Sequence, residues 1–175
     1  MKPLLIIACL CAASFLVLLF VPQSALQNTA LRLVERLVAL SAPVDEILPE
    51  MLQQRMESGR ENILIFDTRA AEEFHQSHLK GALHCPPDIT PEEFTRRFGS
   101  TLRGKEAVWY CSVGKRSSDA LLRLQNVCAQ AGIQHSYNLR GGIFRWHNEG
   151  RPIVDESGSA SSVHPFSATW GLLVR

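Results

Sequence analysis

The sequence has no excess of charge of either sign. Its 18 basic and 17 acidic residues leave a net charge of +1 over 175 residues. It has no basic block and no basic patch interleaved with aromatics, which argues against a nucleic-acid partner. Cys-x-x-Cys pairs are absent too. None of the five cysteines, Cys9, Cys11, Cys85, Cys111 and Cys128, stands at a zinc-ligand spacing, so no metal site is expected. Two of them lie in an apolar N-terminal run, leaving an odd three for the folded part, and cysteine usage fixes no redox compartment. Internal repeats are also lacking. This length fits one domain with extra segments.

One long apolar run is present. Leu4 to Val21 carries no charge over 18 residues and is bracketed by Pro3 and Pro22. At about 1.5 Å rise per residue it just spans a bilayer core of roughly 30 Å. A signal peptide is the alternative, but its cleavage site should show two small residues, and Gln23 precedes the small Ala25. Residues 1–25 therefore read as an uncleaved single-span anchor. Arg32 and Arg36 nearly balance Lys2 and the terminal amine in the positive-inside count. A very short basic tail usually stays in the cytoplasm, which would put the domain outside, in the periplasm of a bacterium. A cleaved and secreted form, or a domain on the cytoplasmic face, are the other arrangements.

Residues 26–43 read as an amphipathic connecting helix. Asn28 or Thr29 is the expected cap, Ala30, Leu33, Val34, Leu37 and Val38 form the apolar face, and Pro43 ends it. This helix either lies on the membrane surface or packs on the domain.

From 44 to 154, short apolar runs alternate with helical patterns. Ile63-Leu64-Ile65-Phe66, Ala82-Leu83-His84, Ala107-Val108-Trp109-Tyr110 and Ser136–Leu139 read as strands. Helices are expected over Pro49–Ser58, Ala70–His75, from Thr90-Pro91 onward, over Ser117–Ala131, and from Gly141-Gly142 to about Asn148. Such alternation predicts an α/β fold, a parallel central sheet with helices on both faces. Sites in such sheets lie at the carboxyl ends of the strands. Cys111 falls there, followed by Ser112-Val113-Gly114-Lys115-Arg116-Ser117 and a helix. Strand, glycine loop and helix start aim backbone N–H groups and a positive dipole end at one point, which favours a thiolate. Lys115 and Arg116 add cationic charge. The pattern suits a thiolate nucleophile meeting an anionic substrate. The bland counterpart is a cysteine that ends a buried strand.

Three segments together resemble the single-domain rhodanese type of sulfurtransferase. They are Leu64–Arg69 with Glu73-Phe74 and His78-Leu79-Lys80-Gly81-Ala82; the loop from Cys111 to Arg116; and Leu139–Trp146 followed by Gly150-Arg151-Pro152. The resemblance covers about Val44 to Val154 and implies a three-layer α/β/α fold. It implies that Cys111 attacks the outer sulfur of thiosulfate or a persulfide-type donor, holds it as a persulfide, and gives it to cyanide or a thiol. In this frame Lys115 and Arg116 attract the donor and stabilise the leaving group. The backbone of Ser112, Val113, Gly114 and Ser117 cradles the substrate. No cofactor is needed, and a protein partner in sulfur relay is a further expectation. Many thiosulfate-using members carry Arg where this chain has Ser112, which weakens the case for thiosulfate and strengthens that for a thiol-bound donor. The rival from another class is a membrane-tethered binding or relay module with little turnover, which a buried Cys111 would favour. A phosphatase or arsenate-reductase loop, Cys-x5-Arg, does not fit, because position 117 is Ser.

Other residues have plainer readings. Cys85 and Cys128 read as core, although Cys85 could be a resolving thiol. His75, His78 and His84 form no recognised ligand set, and His78 shapes the turn before Gly81. Asp67, Arg69 and Glu73 read as a structural network at a strand end, and Trp146 as core. Residues 155–162 are rich in Ser, Gly and Ala and read as a flexible linker; the apolar tail to Arg175 is left to dock on the domain, the membrane or a partner.

Overall fold

A computed structural model describes residues 22–59 and 62–175. The apolar run Leu4–Val21 lies outside the described residues. Among those described, no helix is long and apolar enough to cross a membrane.

The elements in chain order are α1 (Gln23–Ser41), β1 (Glu46–Ile47), α2 (Pro49–Glu57), β2 (Ile63–Asp67), α3 (Ala71–Gln76), β3 (Ala82–His84) and α4 (Pro91–Phe98). They continue with β4 (Glu106–Tyr110), α5 (Lys115–Gln130), β5 (His135–Leu139), α6 (Gly142–Asn148) and α7 (Ala168–Gly171). The five strands form one parallel sheet in the order β1-β5-β4-β2-β3. The β4 strand lies in the middle, paired with β2 on one side and β5 on the other, so its carboxyl end is the centre of the sheet's upper edge.

Alternation along the strands splits the core into two layers, as a parallel sheet buried on both faces requires. Phe66, Ala107 and Trp109 face α4 and α5, where Phe94, Phe98, Ala120 and Leu124 close one layer. The Phe66 and Trp109 rings stack with centroids 4.5 Å apart. Ile65, Val108 and Tyr110 face the other way, toward Leu31, Leu52, Ile143, Phe144 and Trp146. Trp146 is core, as expected, and its Nε1 donates to the Pro152 carbonyl at 2.8 Å.

Most elements lie within a few residues of their expected bounds. Thr90 caps α4 by accepting from the Glu93 N–H at 3.2 Å, with Pro91 in the first position. Helix α1 differs: it begins at Gln23, after Pro22, rather than at Asn28 or Thr29. Thr29 lies inside it and donates its hydroxyl to the Ala25 carbonyl at 2.8 Å, so no cap is needed there. The helix packs on the domain through Leu31, Glu35 and Val38. Glu35 is buried beside Arg145 (3.3 Å) and Arg140 (3.6 Å). Burial raises its carboxyl above the ordinary value, with the two arginines only partly opposing.

Within residues 155–162 the chain turns after Asp155. The Ser157 N–H and hydroxyl donate to Asp155 Oδ1, and Ala160 N–H returns to the Ile153 carbonyl at 3.1 Å. The small residues serve a tight reversal here, because Val163 beyond it is drawn into the core. The apolar tail docks on the domain. Asn148 donates to the Leu173 carbonyl at 2.7 Å, Gln27 of α1 to that of Val174 at 3.2 Å, and Trp170 and Leu173 pack against the core.

Candidate active site

The loop after β4 is built around the left-handed Gly114, at φ 104°, where a side chain would be strained. Its carbonyl is gripped by three donors: the Ser118 N–H (3.1 Å), Ser118 Oγ (2.7 Å) and Asn138 Nδ2 (3.1 Å). This starts α5 at Lys115, two residues before the expected Ser117. The Gly114 N–H donates to Cys111 Sγ at 3.2 Å. Sulfur therefore sits over the helix N-terminus, at the end of a donated hydrogen bond and near the positive end of the helix dipole.

Helix α6 holds the loop from behind. Its first amides donate to the loop carbonyls, Ile143 N–H to Cys111 (2.9 Å) and Phe144 N–H to Ser112 (3.0 Å). With those carbonyls committed to α6, the loop stays curled around the sulfur. This contact requires Gly142, and it joins two segments singled out separately in the sequence.

Each candidate residue has a definite place. Cys111 is 1% exposed, and Ser112, Val113 and Ser117 are buried. Ser117 turns inward to Asn138 Oδ1 at 2.6 Å. Lys115 is half exposed and ion-pairs with Asp119 one turn along its own helix, at 2.6 Å. Arg116 reaches back across the mouth. It donates to both oxygens of Glu73 at 2.7 and 2.8 Å and to Ser112 Oγ at 2.9 Å. Its guanidinium lies 4.7 Å from the Phe166 ring centroid. Burial of Arg116 disfavours its charge, but the Glu73 bonds and the nearby Cys111 sulfur outweigh this and raise its pKa. Burial likewise pushes Glu73 up, and the bonds from Arg116 and the Ala70 N–H more than reverse it, so its carboxyl lies below the ordinary value.

Glu73 was expected in the network with Asp67 and Arg69. Those two do form a fully buried pair at 2.6 Å, and Arg69 adds a bond to the Ser77 carbonyl. Glu73 instead crosses to the cysteine loop, 43 residues away in sequence. No local pattern signals that pairing. Cys85 and Cys128 are buried, and burial pushes their thiols up to about 12 and about 11. His78 stacks on Phe74 at 4.1 Å, and its backbone pairs with Val154. Among the described residues no cluster could hold a metal ion.

Cys111 lines a cleft of about 450 Å³, walled by Val34, Leu37 and Val38 of α1, Val113 of the loop, and Phe166 and Trp170 of the C-terminal segment. The sequence pointed to neither segment as part of the site. The apolar character of the tail was the one available signal.

Because Glu73 is 1% exposed at its side chain, Arg116→Ala strands a buried carboxylate. The expected cost is about 1–3 kcal/mol, and Lys115→Ala, at an exposed helix pair, is expected to change the melting temperature little. The pairing stabilises the fold above the ordinary Glu value of 4.5 and is lost as pH falls through the lowered native value. The Arg116→Ala penalty is therefore larger at pH 7 than at pH 3, which thermal melts at both pH values will read. Equal penalties would refute the pairing as the cause.

A parallel α/β sheet with one cysteine loop at the end of its central strand, opening onto a helix N-terminus, defines a cysteine-centred α/β domain. The Rhodanese-like domain profile matches residues 48–149 of this chain. The chain belongs to the rhodanese-like family. A sulfurtransferase of Allochromatium vinosum is 35% identical over 115 residues, covering 66% of this chain and 99% of that protein. A tRNA uridine(34) hydroxylase of Bordetella pertussis is 35% identical over 105 residues; the match covers 57% of this chain but only 39% of that protein. The thiosulfate sulfurtransferase structure from Pseudomonas aeruginosa superposes with a TM-score of 0.53 at 18% identity, covering 79% of this chain and 25% of that one, a likeness of fold.

Proposed function

We propose that this chain is a sulfurtransferase that carries a sulfane sulfur on Cys111. The Cys111 thiolate attacks the outer sulfur of a thiosulfate- or persulfide-type donor. The donor's sulfur–sulfur bond breaks, sulfite or a thiolate leaves with the electron pair, and a Cys111 persulfide remains. A thiol or cyanide then takes the outer sulfur and returns the thiolate. The observation that carries this reading is the Gly114 N–H donated to Sγ at the start of α5, which stabilises a thiolate or a persulfide anion alike. Arg116 is assigned to the charge of the leaving group, with Lys115 adding to the field at the mouth, and the backbone of Ser112, Val113, Gly114 and Ser117 to the cradle. Family membership and the Allochromatium relative's name support sulfur transfer. Intact-mass spectrometry after donor exposure tests it: one added sulfur on Cys111 is expected, and none with any donor would refute it.

The burial of Cys111 favours a second reading, a relay module that loads one sulfur and releases it only to a docked protein acceptor. Steady turnover to cyanide or free thiol would exclude that reading; stoichiometric loading without turnover would support it.

The reading includes a membrane tether through Leu4–Val21, with the domain on the extracytoplasmic side. Its support is continuity: the apolar run ends beside Pro22, where α1 begins. Leu26, Leu33 and Leu40 stay exposed on the side of α1 opposite Leu31, Glu35 and Val38. A leucine stripe beside exposed Arg32 and Arg36 suits an interfacial helix. The chain is expected in the membrane fraction, resistant to high-salt extraction. A soluble mature protein beginning near Leu26 would overturn the tether, and a domain protected from protease outside intact cells would overturn the orientation.

A further inference from the structure

The cleft over Cys111 has a character that an inorganic donor does not need. Thiosulfate is a small dianion, and a site built for it should present unpaired cations and little greasy surface. The described structure has the opposite balance. The only charged residues lining the cleft are Lys115 and Arg116. Neither is an unpaired cation: Lys115 is held on Asp119, and Arg116 is ion-paired with both oxygens of Glu73. The remaining walls are Val34, Leu37, Val38, Val113, Phe166 and Trp170, apart from Ser41, Ser112 and Cys111 itself. Bringing a dianion out of water against such walls is costly, whereas an apolar body gains from leaving water there.

The walls are assembled from both ends of the chain, outside the strand–helix core. Helix α1 supplies three of them, and the C-terminal segment two. Phe166 is the only non-glycine residue with a positive φ among those described, at 65°. A left-handed phenylalanine is strained, and such strain persists where surrounding structure imposes it. Here it lays the ring over Arg116, at the rim of the cleft, while leaving it half exposed. Leu37 is likewise more than half exposed. Large apolar side chains left partly wet around a cysteine are unfinished contacts, and a ligand's apolar body would complete them.

Resting on the sulfur-transfer reading above, we infer that the physiological sulfur donor to Cys111 is a persulfide carried on an apolar body rather than an inorganic anion. In the loading step the Cys111 thiolate attacks the outer sulfur of R–S–SH, the sulfur–sulfur bond of the donor breaks, R–S⁻ leaves with the electron pair, and Cys111 carries the outer sulfur as a persulfide. The body R stays in the apolar cleft while the sulfurs align over the helix N-terminus.

Thiosulfonate anions isolate the body from the chemistry. Benzenethiosulfonate and methanethiosulfonate carry the same charge, and each gives up its outer sulfur to a thiolate while a sulfinate leaves with the electron pair. The second-order rate of Cys111 loading would be measured by intact mass for both and for thiosulfate, on the purified full chain. Each rate would be divided by that for free cysteine. The benzene compound is expected to exceed the methane one by at least about tenfold, the discrimination that a few buried carbons support. Leu37→Ser and Phe166→Ser should each lower that ratio; both positions are exposed enough for the variants to fold, which melting curves check. Equal normalised rates, a faster rate with thiosulfate, or a ratio untouched by both variants would overturn the apolar-body inference while sulfur loading itself stood. Failure of all three donors to load would sink the sulfur-transfer reading along with it.

Discussion

Cys111→Ser is expected to abolish sulfur loading and leave the melting temperature nearly unchanged. The serine oxygen is close in shape to the sulfur and can still accept the Gly114 N–H, so the loop loses little. It has no persulfide chemistry, so the gain of mass disappears altogether. The other folded cysteines offer no substitute. Burial pushes the Cys85 thiol up to about 12 and the Cys128 thiol up to about 11, which leaves both protonated at neutral pH. A Cys85→Ala chain should therefore load sulfur at nearly the native rate. Persistent loading in Cys111→Ser would place the carrier elsewhere, and a large loss in Cys85→Ala would make Cys85 a resolving thiol.

Gly142→Ala should cause the largest loss of stability in the site. Gly142 has φ 56°, where any other residue is strained. A methyl group there would sit 2.6 Å from the Ser112 carbonyl oxygen and closer still to that of Cys111. Both obstacles are backbone, so no flexible side chain can yield. The loop would have to move off α6 and lose the Ile143 and Phe144 hydrogen bonds that keep it curled. Overpacking and backbone strain together suggest about 2–5 kcal/mol, a fall on the order of 10 °C in melting temperature for a chain of this size. Sulfur loading should fall with it. Gly150→Ala is the control: it has a similar φ of 74° with nothing within 4 Å of the added carbon. If the two variants melt alike, the close approach of α6 to the cysteine loop does not matter.

The division between what was legible and what was not follows the range of the interactions. Strands such as Ile63–Asp67 and Glu106–Tyr110 are short apolar runs bounded by polar breaks, and the helix from Pro91 carries its own cap and proline. Those signals act over a few residues, so the parallel α/β class and the place of Cys111 at a strand's carboxyl end could be read directly. The Cys111–Ser117 loop was legible for the same reason, since glycine, strand end and helix start are neighbours in the chain. The Leu4–Val21 run gave its reading from length and apolarity alone and lies outside the described residues.

Pairings across the fold carry no such local mark. Glu73 and Arg116 are each ordinary charged residues in sequence, and only the packing of α3 against the start of α5 brings their oxygens and nitrogens to 2.7 Å. Lys115 and Arg116 are adjacent and both cationic. Yet successive helix residues point about 100° apart, so one meets solvent and Asp119 while the other crosses the cleft mouth. The cleft walls are the furthest case. Leu37 and Phe166 are separated by most of the chain, and each reads alone as an exposed apolar residue. What the sequence by itself determined is the sheet and the loop that carries Cys111 at a strand's carboxyl end, because neighbouring residues dictate them. What only the tertiary structure decided is the partner of each charge and the apolar surroundings of the sulfur, because those depend on where both ends of the chain come to rest.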